Sequence, residues 1–348
     1  MSASIKGMGL DDLEALMSEL GQPKYRASQL YEWLHTQNAV SYDQMTNLPK
    51  SLRAELAEMF PLENITIKGR FPSKDGSVKY LLELPDGIQT EMVAIIDDSP
   101  DDDNSRITAC ISSQAGCAMG CEFCATGNQG LIRDLTSDEI VSQVALMKKD
   151  LDQRVDNVVV MGQGEPFMNY DNVLDALRRI NKDKGLGIGA RHITISTSGI
   201  ADAIYDLADE PEQFRLAVSL HSADQHTRNS LMPRLSGQPL HTLKKALDYY
   251  TRTKNRRITL EYMLLDGIND SDEQLEKLIE FCEGLNIHVN ILKYNKINGT
   301  DLKPASDAKI NEWIDKLHKN RIVASLRNSK GHDVSGACGQ LIVRSIQD

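Results

Sequence analysis

Residues 107–130 read ITACISSQAGCAMGCEFCATGNQG. A short β-rich run, ITACISS, leads straight into a loop that holds Cys117, Cys121 and Cys124 in the spacing C-x3-C-x2-C. Three thiolates so spaced can hold three irons of a [4Fe-4S] cube and leave the fourth iron open to a substrate or cofactor. Soft thiolate ligands select iron–sulfur clusters or zinc. A zinc site closes its tetrahedron with a fourth Cys or His nearby. Here the next histidine along the chain is His192, far outside the loop, and Cys110 lies upstream in what reads as the strand. The plain alternative is three buried cysteines in a reduced core, which the clustering argues against.

Working outward, strand and helix alternate. ITACISS is followed by TSDEIVSQVALMKKD, NVVVMG by a helix from about Tyr170 to Asn181, and HITISTSG by a further helix. RLAVSLH is followed by a helix from about Leu240 to Arg252, RITLEYML by one from about Asp272 to Gly284, and HVNILKYN by one from about Ala308 to Lys319. IVASLRN reads as one more short strand. Six βα units in series predict an α/β fold with a parallel sheet curved into a partial or complete (β/α)6 barrel. Upstream the pattern differs. LDDLEALMSEL, KYRASQLYEWLH and LPKSLRAELAEMF have helical periodicity. NITIKGRF, SVKYLLELP and IQTEMVAII are β-rich and broken at Asp75-Gly76 and Asp86-Gly87. The expectation is an accessory domain over 1–95, helices then a small antiparallel sheet, and a core with a C-terminal tail over 96–348. The acidic loop DDSPDDD would link them.

The bulk numbers bound the class. The chain has 348 residues, 41% hydrophobic and 26% charged, as in an ordinary globular protein. No apolar run has the length of a membrane span, and the first residues lack a signal-peptide core, so a cytoplasmic protein is expected. Net charge is −11, which excludes a strongly basic, non-specific nucleic-acid binder. Asp97, Asp98, Asp101, Asp102 and Asp103 supply part of that charge in one loop.

In parallel βα folds the active site lies at the C-terminal strand ends. Those tips are polar here: GQGEP at 162–166, STSG at 196–199, SLHS at 219–222, DGIND at 266–270 and Tyr294-Asn295. Each has a bland reading. GQGEP could be a tight turn, Ser196 and Ser198 helix caps, His221 a satisfied core histidine and Asn295 a turn residue. Their common position beside the cysteine loop points to a site facing a metal centre.

C-x3-C-x2-C is the signature of radical S-adenosylmethionine enzymes, which these residues resemble. In that superfamily the open iron chelates S-adenosylmethionine, and one electron from the cluster cleaves it to a 5′-deoxyadenosyl radical. CISSQAGCAMGCEFCATGNQG, GQGEP, RHITISTSGI, AVSLHS and the tail GHDVSGACGQL together resemble the RlmN/Cfr family of RNA adenine methyltransferases. KYRASQLYEWLH and YDQMTNLPKSLR resemble that family's accessory domain, so the likeness spans essentially the whole chain. It implies a radical-type partial barrel, a [4Fe-4S] cluster on Cys117, Cys121 and Cys124, and two molecules of S-adenosylmethionine per turnover. The first methylates Cys338. The second is cleaved to a radical that takes hydrogen from that S-methyl group, and the carbon radical adds to adenine. Glu91, by its place in TEMV, matches the proton acceptor. Cys110 matches the thiol that resolves the protein–RNA adduct through a transient disulfide with Cys338. Gly164, Glu165, Ser196, Ser219, Leu220, His221 and Asn295 match S-adenosylmethionine contacts. Cys282 matches nothing and reads as a buried structural cysteine. Gln163 stands where the family commonly has Met, a change that bears on packing behind the cofactor.

The implied substrate is an adenine of 23S rRNA, methylated at C2 in the RlmN type and at C8 in the Cfr type. CATGNQGL leans toward Cfr; GQGEP, STSG, Ala115 and the N-terminal helices lean toward RlmN, some of whose members also modify the tRNA adenine beside the anticodon. A low-potential electron donor such as flavodoxin, a monomer and no membrane partner are expected. Local basic residues are available for RNA: Lys24, Arg26, Lys50 and Arg53 in the helices, Lys68, Arg70, Lys74 and Lys79 in the small sheet, and Arg321, Arg327 and Lys330 before Cys338. Most such residues are a solvated face; those flanking the tail are the better phosphate contacts. Two other classes compete. A zinc-binding adaptor would leave the polar tips unexplained, and a radical enzyme acting on a small molecule would have no need of Cys338.

Overall fold

From Asn157 onward each apolar-rich strand but the last hands over to a helix. The computed structural model describes residues 5–37, 39–62, 64–97, 106–182 and 185–343. The acidic loop, apart from Asp97, lies outside the described residues.

Three helices open the chain: α1 (Leu10–Glu19), α2 (Tyr25–His35) and α3 (Lys50–Met59). Their inward positions, among them Leu13, Met17, Leu30, Leu34, Leu52 and Leu56, form a small core of their own. β1 (Thr66–Pro72), β2 (Val78–Glu83) and β3 (Gln89–Asp97) follow as an antiparallel meander. Next come β4 (Arg106–Cys110), the short ribbon β5 (Gln114–Gly116), α4 (Ala125–Gln129) and β6 (Leu131–Asp134), then α5 (Ser137–Leu151). The chain continues through β7 (Asn157–Val160), α6 (Tyr170–Asn181), β8 (Ile193–Thr197), α7 (Ala201–Asp209) and β9 (Arg215–Ser219). It then forms α8 (Gln225–Leu231), α9 (Leu240–Lys254), β10 (Ile258–Leu264), α10 (Asp272–Cys282), β11 (Ile287–Lys293), α11 (Asp307–Lys319) and β12 (Val323–Arg327).

One 10-stranded sheet runs in the order β1-β2-β3-β4-β7-β8-β9-β10-β11-β12. From β4 onward every pairing is parallel, and the sheet is an open partial barrel. The short IVASLRN run is a full member, β12, paired along β11. The small antiparallel sheet is placed differently from the sequence expectation. β3 pairs antiparallel with β4, Val93 opposite Cys110, so β1–β3 extend the barrel sheet rather than forming part of a separate N-terminal unit. The main apolar core accordingly runs from Ile65 to Ala324, and the break between cores falls just before Ile65, not at residue 95. Hydrogen bonding explains this: β4 needs a partner on its free edge, and β3 supplies it.

Local chemistry fixes the helix starts. Thr136 and Glu139 form a capping box at α5, and Ser271 and Ser306 cap α10 and α11 through the backbone N–H three residues on. Among the described residues no helix is long and apolar enough to cross a membrane.

Candidate active site

A cavity of about 350 Å³ opens at the C-terminal strand ends, and Cys117, Cys121 and Cys124 line it. The cysteine loop leaves β5 and returns through α4. It folds tightly: a Cβ on Gly127 would fall 2.8 Å from the Cys121 nitrogen. Burial pushes the Cys117 thiol up to about 12. Burial, and then the charges of Cys124 and Cys117, raise Cys121; burial also raises Cys124. Three thiols that resist ionising alone are suited to an electron-poor cluster that shares their negative charge. Among the described residues no three His, Cys, Asp or Glu side chains converge as ligands of one ion. A cube binds each thiolate to a separate iron, so its ligands stand further apart than those of a single ion. The residues fit a cluster.

Gly164 has φ 105°, and a Cβ there would strike Gln114 at 2.7 Å. Only glycine lets the turn after β7 lie this close to the β4–β5 segment. Glu165 follows, buried, with Oε1 accepting from the Phe167 nitrogen (3.1 Å) and Oε2 from the Ser198 nitrogen (2.6 Å). Burial raises its carboxyl pKa, and the Ser198 N–H opposes the rise. The carboxylate is thus held in one orientation, with lone pairs remaining for a ligand amine. Ser196, Ser219 and His221 line the same cavity. Neither serine caps α7, whose first turn has no side-chain cap. His221 has φ 54° and accepts the Met263 N–H at Nδ1 (3.0 Å), which places the ring proton on Nε2. Burial lowers its pKa to about 3, so the ring is neutral. Phe123 of the cysteine loop meets it edge-on at 4.5 Å.

Leu220 does not line the cavity. Its side chain is in the apolar core, and its N–H donates to the Glu261 carbonyl (3.0 Å). Asn295 is also off the wall. Its Nδ2 donates to Ser329 Oγ (3.0 Å) and to the Cys338 carbonyl (3.1 Å), so it clamps the tail. Further bonds tie the tail down: Ala125 N–H to the Gly339 carbonyl (2.7 Å) and Thr126 Oγ1 to the Leu341 carbonyl (2.6 Å). These bring Cys338 onto the cavity wall together with Cys110, both as free thiols. Burial pushes the Cys110 thiol up to about 12, and the nearby Cys338 adds to the rise.

Glu91 lies on the same sheet face as Val93 and Cys110. It is buried: Oε1 pairs with Lys79 Nζ at 3.0 Å, and Oε2 accepts the Ile342 N–H at 2.9 Å. In this closed arrangement it sits behind the tail rather than on the cavity wall. Lys79 is committed to that pair, and Lys330 donates to the Ile96 carbonyl (2.6 Å). Neither is a free cation awaiting a phosphate. Gln163 links the two halves of the site: its Oε1 accepts from Thr90 Oγ1 (2.8 Å) and from the Glu91 N–H (3.2 Å). Cys282 is buried in the apolar core on α10.

Sequence reasoning missed two residues, Arg228 and Glu261. Buried Arg228 donates to the carbonyls of Ser198 (2.7 Å) and Leu220 (3.0 Å), joining the β8 and β9 tips. Burial lowers its pKa to about 10. Glu261 and Arg327 line the cavity as well. A charged residue at an inward position of RITLEYML was the available signal for Glu261; nothing comparable marked Arg228.

Two family models match the chain: the Radical SAM superfamily over residues 111–282, and the ribosomal RNA large subunit methyltransferase N-terminal domain over 4–62. A probable dual-specificity RNA methyltransferase RlmN 3 of Opitutus terrae is 44% identical, covering 98% of this chain and 94% of that protein. A probable dual-specificity RNA methyltransferase RlmN of Staphylococcus aureus is 41% identical over 99% and 94%. A crystal structure of a radical SAM methyltransferase from Sphaerobacter thermophilus superposes with a TM-score of 0.91 at 41% identity, over 97% of this chain and 98% of that one.

Proposed function

Because the chain belongs to the RlmN family of radical S-adenosylmethionine RNA methyltransferases, we propose that it methylates C2 of an adenine in 23S rRNA, and the adenine beside the anticodon in tRNA, with Cys338 as methyl carrier. Membership implies a [4Fe-4S] cluster and S-adenosylmethionine, for which Cys117, Cys121 and Cys124, and Gly164, Glu165, Ser196, Ser219 and His221, are the holding residues. When bound, these groups supply the methyl carbon and the one-electron chemistry that activates it, two S-adenosylmethionine molecules per turnover. Leu220 would contribute through its backbone, and Asn295 by holding the tail.

The chain's own residues do the rest. Cys338 loses its thiol proton and carries the carbon as a thioether. Once that carbon is bonded to the adenine, Glu91, freed from Ile342, takes the ring proton. The Cys110 thiolate then attacks the Cys338 sulfur. A Cys110–Cys338 disulfide forms as the bond from sulfur to the carried carbon breaks; the carbon keeps that electron pair and takes up a proton to become a methyl group, and methylated RNA leaves. A reductant must reopen the disulfide before the next cycle. The single observation that carries this reading is that Cys110 and Cys338, far apart in sequence and both free, line the cavity that the three cluster cysteines line. We further propose that the N-terminal helices and β1–β3 contribute RNA contacts, that the protein acts as a cytoplasmic monomer, and that a low-potential donor such as flavodoxin reduces it.

The test is anaerobic reconstitution followed by methyl transfer to rRNA and tRNA fragments. Cys338→Ala should lose all turnover, and Cys110→Ala should accumulate a covalent protein–RNA adduct. Full turnover by Cys338→Ala would sink the carrier role. Mass spectrometry of the product separates 2-methyladenine from 8-methyladenine; the latter would move the chain to the C8 reading.

A further inference from the structure

The cavity wall between β10 and β12 carries two charged side chains that the reaction above does not use. Glu261, on β10, has a side chain only 5% exposed. Its Oε1 accepts from Asn290 Nδ2 at 3.1 Å. Its Oε2 is shut from bulk water and has no hydrogen-bond partner among the described residues. The nearest cation, Arg327 Nη1, stands 3.5 Å away, an ion-pair contact too long for a good hydrogen bond. Arg327 ends β12, and among the described residues its hydrogen-bond partner is the Met161 thioether at 3.4 Å, a weak acceptor. A carboxylate oxygen without a donor therefore adjoins a guanidinium with donors to spare. Buried groups left so cost free energy unless a ligand completes them.

Their place on the wall says which ligand. Arg327, Glu261, Cys110 and Cys338 all line this one cavity. Asn295 bridges Ser329, two residues beyond Arg327, to the Cys338 carbonyl. The order along the wall is thus acceptor, donor, carrier sulfur. Adenine has the complementary order on each of two edges. The 6-amino donor is followed by N1 and then C2 on one edge, and by N7 and then C8 on the other. Guanine presents the reverse, an acceptor at position 6 and a donor at N1. Cytosine places a carbonyl where the reactive carbon must be.

We propose that Glu261 and Arg327 read the target adenine: Glu261 Oε2 accepts from its 6-amino group, and Arg327 donates to the neighbouring ring nitrogen, which delivers the adjoining carbon to Cys338. This rests on the RNA-methylation reading above. S-adenosylmethionine also carries an adenine, but the position beside Cys338 and Cys110 assigns the pair to the RNA base.

The experiment uses the full chain with its cluster reconstituted and RNA fragments carrying adenosine, purine riboside (no 6-amino group), 1-deazaadenosine or 7-deazaadenosine at the target. Binding is read by fluorescence anisotropy. Wild type should bind adenosine RNA roughly 10- to 100-fold more tightly than purine riboside RNA. Glu261→Gln should lose that preference, with little further loss on purine riboside RNA. Loss with 1-deazaadenosine marks the C2 edge, and loss with 7-deazaadenosine the C8 edge; Arg327→Lys should flatten whichever is seen. A wild type indifferent to the 6-amino group overturns the proposal, whatever the variants do. So does a Glu261→Gln protein that keeps the preference but binds S-adenosylmethionine more weakly in equilibrium dialysis, since the pair would then serve the cofactor. A wild type that makes no methyladenine refutes the earlier reading instead, which separates the two failures.

Discussion

Gln163 shows how one side chain can couple two functions. It sits in the turn that positions Glu165, yet its Oε1 holds Thr90 and the Glu91 backbone. Gln163→Met removes an acceptor that two buried donors share. Stability in urea should fall by about 1–3 kcal/mol, and the adduct-resolving step should slow more than cofactor binding weakens. A second residue-scale consequence concerns pH. His221 and His35 are both buried, with pKa values lowered by burial to about 3 from 6.5. The unfolded chain binds their protons first, so the stability they contribute is complete above pH 6.5 and is lost as pH falls from 6.5 toward 3. The slope is about 1.4 kcal/mol per pH unit for each histidine. Denaturation midpoints at pH 7.5 and 5.5 check this, and His35→Gln should roughly halve the difference. At this scale the cysteines were legible because their spacing is itself the chemistry. Glu261 and Arg228 were not, because a charged residue acquires its meaning from the sheet face or helix side on which register places it.

At the element scale the βα series could be read from periodicity alone, including helix ends set by Ser271 and Ser306. The attachment of β3 to β4 could not, because an edge pairing across an intervening loop leaves no local pattern. The bland reading of Ser196 and Ser198 as helix caps does not hold: α7 has no side-chain cap, and the tip of β8 turns its backbone toward Glu165 instead. The connection after β10 makes its own prediction. Asn269, fully buried, donates to the carbonyls of His221 (2.6 Å) and Met263 (2.8 Å) and accepts the Leu265 N–H (2.7 Å). One amide thereby locks two neighbouring strand tips. Asn269→Ala leaves three backbone groups unpaired and should cost about 3 kcal/mol or more, read as a drop in melting temperature. It should also loosen His221, seen as weaker S-adenosylmethionine binding.

At the scale of the whole molecule, two apolar cores meet at a buried cation. Arg179 of α6 pairs with Asp138 at 2.7 Å, donates to the Lys6 carbonyl at 2.6 Å and contacts His35 Nδ1 at 3.1 Å. Arg179→Met should uncouple the cores, and calorimetry should then resolve two unfolding transitions where wild type shows one. The likeness of the N-terminal helices to an accessory domain was legible as a motif; this docking contact, made by residues from four separate segments, was not. The tail has a different bearing. Cys338, Leu341 and Ile342 complete the site, yet they follow every strand of the sheet in chain order. During synthesis every strand of the sheet is made before the Cys338 sulfur is added. A message broken just after the codon for residue 330 would therefore yield a chain without Cys338 and, under the proposed chemistry, leave no atom on which to carry a methyl group.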